Sequence, residues 1–310
     1  MRAVVVAGYG PPDVARVAEV PAPVPRPGEV LVRVVATAVT AGDARIRGGR
    51  FPRGFGVPAR LALGLRGPRR PVLGVVFSGV VESVGADVAD LAPGDEVSGM
   101  TGARMGAHAE LVAVPASRAV RKPAEVTHED AAGVLFGGTT ALHFLRGVGR
   151  GASVLVVGAS GAVGTNAVQL AKHLGATVTA VTSGANADLV TGLGADRVID
   201  YTTTPLIGGR YDVVLDTVGT LSPSTGRRLL TDGGVLLLAA ATLAETVVPR
   251  RRVKAGVAPE RAEDVAFLLE RVAKGELGVV VDEVVALDGI VAAYRRVDSG
   301  RKVGNLVLRP

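Results

Sequence analysis

One stretch of the chain, residues 154–181, combines a strand, a glycine-rich turn, a helix and a second strand without a break. Residues 154–157 form a continuous apolar run, which is typical of a parallel strand buried on both faces. The turn 158–164 follows at once, and residues 177–181 supply the second strand. This order of elements predicts a dinucleotide-binding unit, with the cofactor's pyrophosphate at the start of the helix.

The glycines of the turn have separate predicted roles. Gly161 lets the backbone approach a pyrophosphate, and Gly164 lets the helix pack closely on the strand. Ala159 stands where the usual G-x-G-x-x-G pattern has its first glycine. The free N–H groups and the dipole of the helix N-terminus favour an anion. The residues predicted to line this part of the cofactor site are Ser160, Gly161, Ala162, Val163 and Gly164.

The residues that close the second strand bear on which nicotinamide cofactor is used. An acid there accepts hydrogen bonds from the adenosine ribose 2′-hydroxyl and repels a 2′-phosphate. Here Thr182 and Ser183 close the strand, Asn186 follows, and no acid occurs before Asp188. These neutral groups, in a chain of net charge +6, favour NADPH over NADH. The alternative is that residues 182–186 form only a polar turn.

Length and composition limit the class of protein. With 310 residues, 48% of them hydrophobic, and 42 glycines, the chain can form two α/β domains with cores of their own. The N-terminus lacks a signal-peptide pattern, and no apolar run approaches the ~18 residues that a membrane span needs. We therefore expect a cytoplasmic protein with no membrane partner. Apart from the clusters at residues 66–70 and 250–252 the arginines are scattered, and the aromatic content is only 3%, which argues against nucleic acid as a partner.

The chain changes character along its length. Residues 1–124 contain short β-rich segments broken by proline and glycine, which predict a mostly antiparallel, barrel-like domain. Residues 125–260 are predicted to form a doubly wound parallel α/β domain of the Rossmann type. It opens with a helix over 127–146, with Thr127 as N-cap, and adds strands at 197–200, 212–216, 234–239 and, more weakly, 253–257. Residues 261–310 are expected to return to the first domain, because a strand at the chain end needs a sheet to join.

Several motifs in order along the chain carry a family resemblance: AGDARIRGG, GAHAEL, GGTTALHFL, GASGAVG, LGADRVIDY, YDVVLDTVG and GRKVGNLVL. In these motifs the chain resembles the zinc-independent medium-chain dehydrogenases/reductases, in the branch of quinone oxidoreductases and enoyl reductases. The resemblance implies a GroES-like catalytic domain formed by both chain ends, a central Rossmann domain and an active site in the cleft between them. A small-molecule substrate and a homodimer are also expected.

The activity implied by the resemblance is hydride transfer from NADPH to a quinone or to the β-carbon of an enone or enal. Zinc-dependent relatives polarise the carbonyl with a metal held by cysteine and histidine. The chain has no cysteine and only four histidines, which lack zinc-site spacing, so no metal site is expected. Any carbonyl polarisation must then come from hydrogen bonds.

The chain also departs from the family pattern at candidate catalytic positions. Thr40 stands where an asparagine is common, and Phe51 stands where many members have a tyrosine that donates a proton. Val76 replaces an acid, and His108 occupies a position where tyrosine or phenylalanine is common. Ala185 stands where relatives often carry a phosphate-binding lysine. The residues of the predicted catalytic site are Thr40, Phe51, His108 and Thr140.

The resemblance extends the predicted cofactor site to Tyr201, Val218, Gly219 and Arg301. Some of these roles have structural alternatives. Asp43 caps a short helix over 44–47 in the simplest interpretation. Thr40 is either an active-site hydroxyl or a strand-end residue, His108 is either an acid or a packing residue, and Arg301 either binds a cofactor phosphate or faces solvent in a turn.

Three classes of function fit these features. The first is NADPH-dependent reduction of a quinone or of an activated C=C bond. The second is a zinc-free ketone or alcohol oxidoreductase of the same fold. The third is a nucleotide-binding sensor or a repurposed non-redox enzyme, which the residues at positions 40, 51 and 76 keep open. Substrate specificity lies in loops, such as residues 49–70, whose shape the sequence does not specify.

Overall fold

The computed structural model describes residues 1–206, 208–248 and 250–310, and these divide into two compact units. The first unit contains Met1–Phe51, Gly56–Phe136 and Glu260–Pro310. Both ends of the chain therefore belong to the same unit. The second unit contains Pro52–Phe55 and Gly137–Pro259.

The N-terminal part of the first unit consists mainly of short strands separated by glycine and proline turns. Its long central strand pairs antiparallel with two others, so it forms the middle of a sheet. The elements are β1 (Arg2–Val6), β2 (Ala15–Glu19), β3 (Glu29–Ala38), α1 (Ala41–Gly48), α2 (Gly56–Leu63), β4 (Val76–Val84), β5 (Glu96–Met100), β6 (Leu111–Pro115) and β7 (Ala119–Arg121).

A long helix, α3 (His128–Leu145), runs from the first unit into the second. Thr127 Oγ1 accepts a hydrogen bond from the backbone N–H of Asp130 at 3.1 Å and donates to the Asp130 carboxylate at 2.8 Å. This arrangement satisfies one of the free N–H groups of the first turn and confirms Thr127 as the N-cap. Within the described residues, no helix is long and apolar enough to cross a membrane.

The second unit alternates strands and helices. Its sheet has the strand order β10-β9-β8-β11-β12-β13, and every pairing in it is parallel. The predicted doubly wound sheet is thereby confirmed. Its elements are β8 (Ser153–Val157), α4 (Ala162–His173), β9 (Thr177–Thr182), α5 (Ala187–Gly192), β10 (Arg197–Asp200), β11 (Tyr211–Asp216), α6 (Pro223–Arg227), β12 (Leu230–Leu238), α7 (Leu243–Val247) and β13 (Val253–Ala255).

The last fifty residues complete the first unit with α8 (Ala262–Ala273), β14 (Val281–Ala286), α9 (Ile290–Asp298) and β15 (Asn305–Arg309). The terminal strand β15 pairs antiparallel with β3, with Val307 opposite Ala38, and β14 pairs parallel with β15. The resulting sheet has the order β14-β15-β3-β4-β5-β7, with β6 also paired to β3. This mostly antiparallel sheet agrees with the predicted barrel-like domain.

Among the residues that the structure describes, two apolar clusters lie in the first unit. Phe77 lies in one of them, among valines of β3 and β5. Tyr294, on α9, lies in the other with Leu73 and Leu306. Each of these side chains is fully buried, and burying a large apolar side chain stabilises a fold by about 1.5–3 kcal/mol. The second cluster fixes α9 against α1, whose N-cap is the candidate residue Thr40.

Some predicted elements differ in extent from the observed ones. The helix predicted over 44–47 begins at Ala41 instead, because Thr40 provides its N-cap. The strand predicted at 234–239 is longer and begins at Leu230. The strands β2 and β7 are short, and their pairing with β1 and β5, rather than an apolar pattern of their own, holds them in place.

Candidate cofactor site and candidate active site

The turn between β8 and α4 requires glycine at two positions. Gly158 has a φ of +80°, and a Cβ there would lie 2.3 Å from Val218 Cγ2. A Cβ at Gly164 would lie 2.1 Å from the carbonyl oxygen of Gly158, so only glycine allows the helix to pack this close. At Gly161 a Cβ would meet only one atom, the Gly158 oxygen at 3.5 Å. The turn is therefore closed on its inner side and open at Gly161.

The N-terminus of α4 faces this open side with free donors. Gly161 is the N-cap and provides no side-chain hydrogen bond, and the first turn of α4 carries no acid. The N–H groups at the start of a helix have no partner within the helix, and the helix dipole adds partial positive charge there. Ala162, Val163 and Gly164 occupy these positions. This donor set fits a pyrophosphate group.

The structure brings together the polar residues predicted for the adenosine end of the cofactor. Thr182 Oγ1 donates to Ser160 Oγ at 2.8 Å, and Asn186 Nδ2 donates to the same oxygen at 3.2 Å. Asn186 Nδ2 also lies 3.1 Å from Ser183 Oγ. We call Ser160, Thr182, Ser183 and Asn186 the adenosine corner. Its four side chains are neutral.

An acid that the sequence analysis missed lies beside this corner. Asp200 ends β10 and is opposite Thr182 in the sheet register. A Cβ at Gly184 would lie 2.5 Å from Asp200 Oδ2. Hydrogen bonds from the side chain and backbone of Thr202, and from the backbone of Gly184, lower the pKa of Asp200. The carboxylate is therefore ionised at neutral pH. The sequence offered a signal, because parallel neighbouring strands end at the same edge of a sheet and Asp200 ends the strand that follows β9 along the chain.

Tyr201 follows this acid and shares the same edge. Its backbone N–H donates to the Thr182 carbonyl oxygen at 3.1 Å, and its side chain is exposed. The structure thus places Tyr201 next to the adenosine corner, with its ring free of the protein core. An exposed ring at this edge can lie against a nucleotide.

The loop after β11 holds Val218 and Gly219. Asp216, which is fully buried, accepts hydrogen bonds from the backbone N–H groups of both residues at 2.9 Å and from that of Leu221 at 2.6 Å. Three N–H donors on one buried carboxylate fix the course of the loop. Asp216 was missed as a positioning residue. Its place at the end of a buried strand, directly before a glycine loop, was the available signal.

In the first unit, Thr40 and Asp43 form a capping box at the start of α1. Thr40 Oγ1 donates to Asp43 Oδ2 at 2.6 Å and accepts from the Asp43 N–H at 3.1 Å. Asp43 Oδ1 accepts from the N–H of Gly74 at 3.1 Å. Both side chains are buried. Asp43 therefore does cap a helix, and it shares that role with Thr40, whose hydroxyl is already hydrogen-bonded.

His108 lies in the interior next to this box. Its side chain has no exposed surface, and Nε2 lies 3.1 Å from the Ala38 carbonyl oxygen and 4.0 Å from Asp43 Oδ2. Its ring is edge-on to that of Tyr294, with 6.3 Å between centroids. Burial, with Asp43 as a further cause, raises the pKa of Tyr294 well above its ordinary value. His108 reaches Thr40 only through Asp43 and does not reach solvent.

The remaining candidates are more dispersed. Phe51 lies beyond the end of α1, so it and Thr40 are separated by the length of that helix, about 12 Å for eight residues. The ring of Phe51 is edge-on to Tyr9 at 6.1 Å, and the Tyr9 hydroxyl donates to the Gly64 carbonyl oxygen at 2.7 Å. Arg301 is exposed in the first unit. Thr140 is half-buried in α3, in the part that belongs to the second unit.

The donor set does not fit a zinc ion. The chain contains no cysteine. In residues 1–206, 208–248 and 250–310, no three histidine or acidic side chains cluster closely enough to hold a metal. His128 hydrogen-bonds Ser78 Oγ at 2.8 Å and approaches Glu96 at 3.3 Å, and burial lowers its pKa. A step on a metal would need a ligand set that the described side chains do not assemble.

Two family models match the chain. Residues 26–124 match the alcohol dehydrogenase GroES-like domain, and residues 193–308 match a domain described as zinc-binding dehydrogenase. The chain is 30% identical to the chloroplastic quinone-oxidoreductase QR1 of Triphysaria versicolor, over 100% of this chain and 98% of that protein. The chain belongs to the medium-chain dehydrogenase/reductase family. It falls in the quinone oxidoreductase and enoyl reductase branch.

Further relatives support the same family membership. The chain is 31% identical to 2-methylene-furan-3-one reductase of Solanum lycopersicum, over 97% of this chain and 77% of that protein. The quinone oxidoreductase of Coxiella burnetii superposes with a TM-score of 0.90 at 28% identity and covers 100% of this chain and 99% of its own. A mycobacterial protein complexed with NADPH has a TM-score of 0.80 at 29% identity and covers 100% of both chains. The reductase is thus an oxidoreductase of this branch.

Proposed function

We propose that this medium-chain reductase uses NADPH to reduce a quinone or the activated C=C bond of an α,β-unsaturated carbonyl compound, without zinc. The observation that carries the proposal is the adenosine corner, in which neutral hydrogen-bonding side chains lie at the ends of β8 and β9 and no acid closes β9 to select NADH. The structural neighbour in complex with NADPH supports the same choice. The names of the relatives support the two substrate classes.

The chain's own residues divide the binding of the dinucleotide among them. The N–H groups of Ala162 and Val163 would bind the pyrophosphate, and Gly161 leaves room for it. Ser183 and Asn186 would hydrogen-bond the 2′-phosphate, the buried Thr182 would hold Ser160 in place beside them, and the exposed ring of Tyr201 would lie against the phosphate. The loop with Val218 and Gly219 would border the cofactor, and Arg301 would add a charge to a cofactor phosphate. Bound NADPH supplies a hydride.

The source of the proton separates the two substrate classes. Phe51 has no hydroxyl, Thr40 donates its own to Asp43, and His108 is fully buried. None of the three is a free, exposed acid. A reduced quinone takes protons on oxygen from water, whereas a carbon-centred enolate gains about 10²–10⁴ in rate from a placed acid. We therefore propose quinones as the faster substrates.

Carbonyl polarisation is assigned to hydrogen bonds instead of a metal. A zinc site needs three or four nitrogen, sulfur or carboxylate ligands at short distance, and the described side chains do not offer such a set. Thr140 on α3 is a further candidate for contact with the substrate or the nicotinamide. Removing its hydroxyl with Thr140→Val, which keeps the side-chain shape, would test this assignment.

The decisive experiment measures NADPH oxidation by the purified protein with a quinone, an enone and a ketone. We expect turnover of the quinone, slower turnover of the enone and none of the ketone. Turnover of the ketone alone would establish the zinc-free alcohol oxidoreductase instead. Tight NADPH binding without turnover of any of the three would establish a sensor or a repurposed enzyme. Gly161→Val, which fills the open side of the turn, serves as the control and should abolish cofactor binding.

A further inference from the structure

The segment between Asp43 and Glu82 has an unusual charge pattern. Residues 44–81 contain eight arginines and no aspartate, glutamate or lysine. In the same segment lies the apolar sequence of α2 and the turn that follows it. A basic segment with apolar residues at helical spacing is typical of a surface that binds membranes or acidic partners.

The helix α2 turns its more apolar face outward. Successive residues of an α-helix are about 100° apart, so residues four positions apart share a face. Val57 and Leu61 share one face of α2 and are 72% and 58% exposed, and Leu65, just beyond the helix, is 64% exposed. On the other side, Leu63 packs against the core of the first unit. Three large apolar side chains in one sequence region are thus left in water.

Arginines accompany these apolar side chains. Arg66, Arg69 and Arg70 are exposed in the turn after α2, and among the described residues none of them forms a salt bridge with a carboxylate. Arg70 donates to a backbone group, the carbonyl oxygen of Arg104, at 3.0 Å. Their charges are therefore available to an external anion.

The backbone that carries these side chains is held in place. The Tyr9 N–H donates to the Arg66 carbonyl oxygen at 3.2 Å, and the Val6 N–H donates to that of Pro71 at 2.8 Å. Within the turn, the Arg69 N–H bonds the Leu63 carbonyl oxygen at 2.6 Å. The apolar and basic side chains are therefore presented on a fixed backbone, and a ligand need not order a loose loop to bind them.

We propose that Val57, Leu61 and Leu65, together with Arg66, Arg69 and Arg70, form a surface that binds anionic lipid bilayers; we call it the α2 surface. Apolar side chains that enter the boundary between headgroups and acyl chains gain by leaving water, and each nearby arginine is attracted to anionic headgroups. The sequence led us to expect no membrane partner because no segment is long enough to span a bilayer. Binding at the bilayer surface needs no such segment.

Two other occupants fit the α2 surface less well. A second copy of the chain, docked through the same surface by two-fold symmetry, would bring arginines against arginines, and residues 44–81 supply no carboxylate to pair with them. Nucleic acid would pair with the arginines but would leave the three aliphatic side chains in water, since stacking on bases needs aromatic rings. A lipid surface satisfies both the charge and the apolar side chains.

The test is co-sedimentation of the full-length protein with vesicles. Vesicles of equal parts phosphatidylglycerol and phosphatidylcholine should bind the protein, phosphatidylcholine alone should bind it much less, and added salt should weaken binding. Val57→Ser and Leu61→Ser should each reduce the partition coefficient by about tenfold. Arg66→Gln and Arg69→Gln should each reduce it by about fivefold. The proposal does not depend on the reductase activity, so this test can fail while NADPH turnover succeeds.

Matched substitutions elsewhere provide the controls. Val257 is 90% exposed, and Arg228 and Arg251 are exposed in the second unit, so Val257→Ser, Arg228→Gln and Arg251→Gln remove the same groups. These variants should bind vesicles like the unmodified protein. No binding to anionic vesicles, or an equal loss in the control variants, would overturn the proposal. DNA binding that is lost in Arg66→Gln but kept in Val57→Ser would also overturn it. A dimer that dissociates in Val57→Ser would overturn it as well.

Discussion

The carboxylate of Asp200 lies so close to Gly184 that a Cβ at position 184 would be 2.5 Å from Asp200 Oδ2. A negative charge from β10 therefore stands next to a group of neutral side chains at the end of β9. The neutral donors of the adenosine corner suit a 2′-phosphate, whereas the acid beside them repels it. This combination predicts a preference for NADPH that is present but limited.

Replacement of Asp200 by asparagine should strengthen the preference for NADPH. In the unmodified protein the Thr202 N–H lies 2.9 Å from Asp200 Oδ1. The asparagine amide oxygen can still accept this hydrogen bond, but the negative charge of the carboxylate is lost. We expect the ratio of NADH to NADPH dissociation constants to rise about fivefold, mostly through tighter NADPH binding, and to fall again with salt. Fluorescence titration with both cofactors measures it. Asp188→Asn removes an exposed acid from the first turn of α5 and should change the ratio less.

The opposite change at Ser183 should reverse the preference. Ser183→Asp puts a carboxylate at the end of β9, where it would bind the ribose 2′-hydroxyl and repel a 2′-phosphate. The same titrations should then show tighter binding of NADH than of NADPH. Ser183→Asn adds similar bulk without charge and should keep NADPH ahead. A preference for NADH in the unmodified protein would contradict the assignment of the adenosine corner.

A tyrosine at position 51 should restore a proton donor. In Phe51→Tyr we expect enone turnover to rise by up to about a hundredfold, because a placed acid accelerates protonation of carbon, while quinone turnover changes little. Steady-state kinetics with both substrates would show the split. The neighbouring Tyr9 provides the control, since Tyr9→Phe removes a hydroxyl that already bonds Gly64. If Tyr9→Phe slows the enone reaction, Tyr9 is the donor and the assignment of Phe51 is wrong.

Removal of metal ions should leave turnover unchanged. Because the described side chains do not assemble a zinc ligand set, we expect elemental analysis of active protein to find zinc well below one ion per chain. Incubation with a chelator should not lower the rate of quinone reduction, and added zinc should not raise it. Loss of activity on chelation that zinc restores would refute the metal-free mechanism.

Lys302 predicts a pH dependence of stability. Burial lowers the pKa of Lys302 from 10.5 to about 8, with Arg296 lowering it further and Asp282 opposing. The folded protein therefore binds fewer protons at this site than the unfolded chain between these values, so the free energy of unfolding should rise with pH there. Below pH 8 the lysine is charged in both the folded and the unfolded protein, and the full cost of burying its charge lowers the free energy of unfolding.

Lys302→Met should flatten this rise and stabilise the protein at neutral pH, which urea unfolding at several pH values would show. The Lys302 ammonium donates to the Gly304 carbonyl oxygen, and loss of that bond offsets part of the gain. Lys274 is half-exposed and pairs with Glu270, so Lys274→Met is the matched control and should keep the pH dependence. If the free energy of unfolding of Lys302→Met still rises with pH as in the unmodified protein, the rise comes from another group.

The dinucleotide-binding unit could be predicted from the sequence because its determinants are local. A run of apolar residues, a turn that tolerates only glycine at Gly158 and Gly164, and a helix with one apolar face specify β8, α4 and β9 through contacts between near neighbours in the chain. The doubly wound parallel sheet was predicted from the same alternation of strands and helices. The N-cap at Thr127 was predictable for the same reason, since its partner Asp130 is three residues away.

Only the tertiary structure placed Asp200 beside Gly184, His108 in the interior next to Asp43, and the apolar residues of α2 in solvent. Each of these facts joins residues far apart in the chain or depends on which face of an element meets the core. Sequence periodicity shows that Val57 and Leu61 share a face, but packing of Leu63 on the first unit decides that this face points outward. The sequence by itself determined the elements and the cofactor-binding turn, whereas long-range packing decided the charges and surfaces around them.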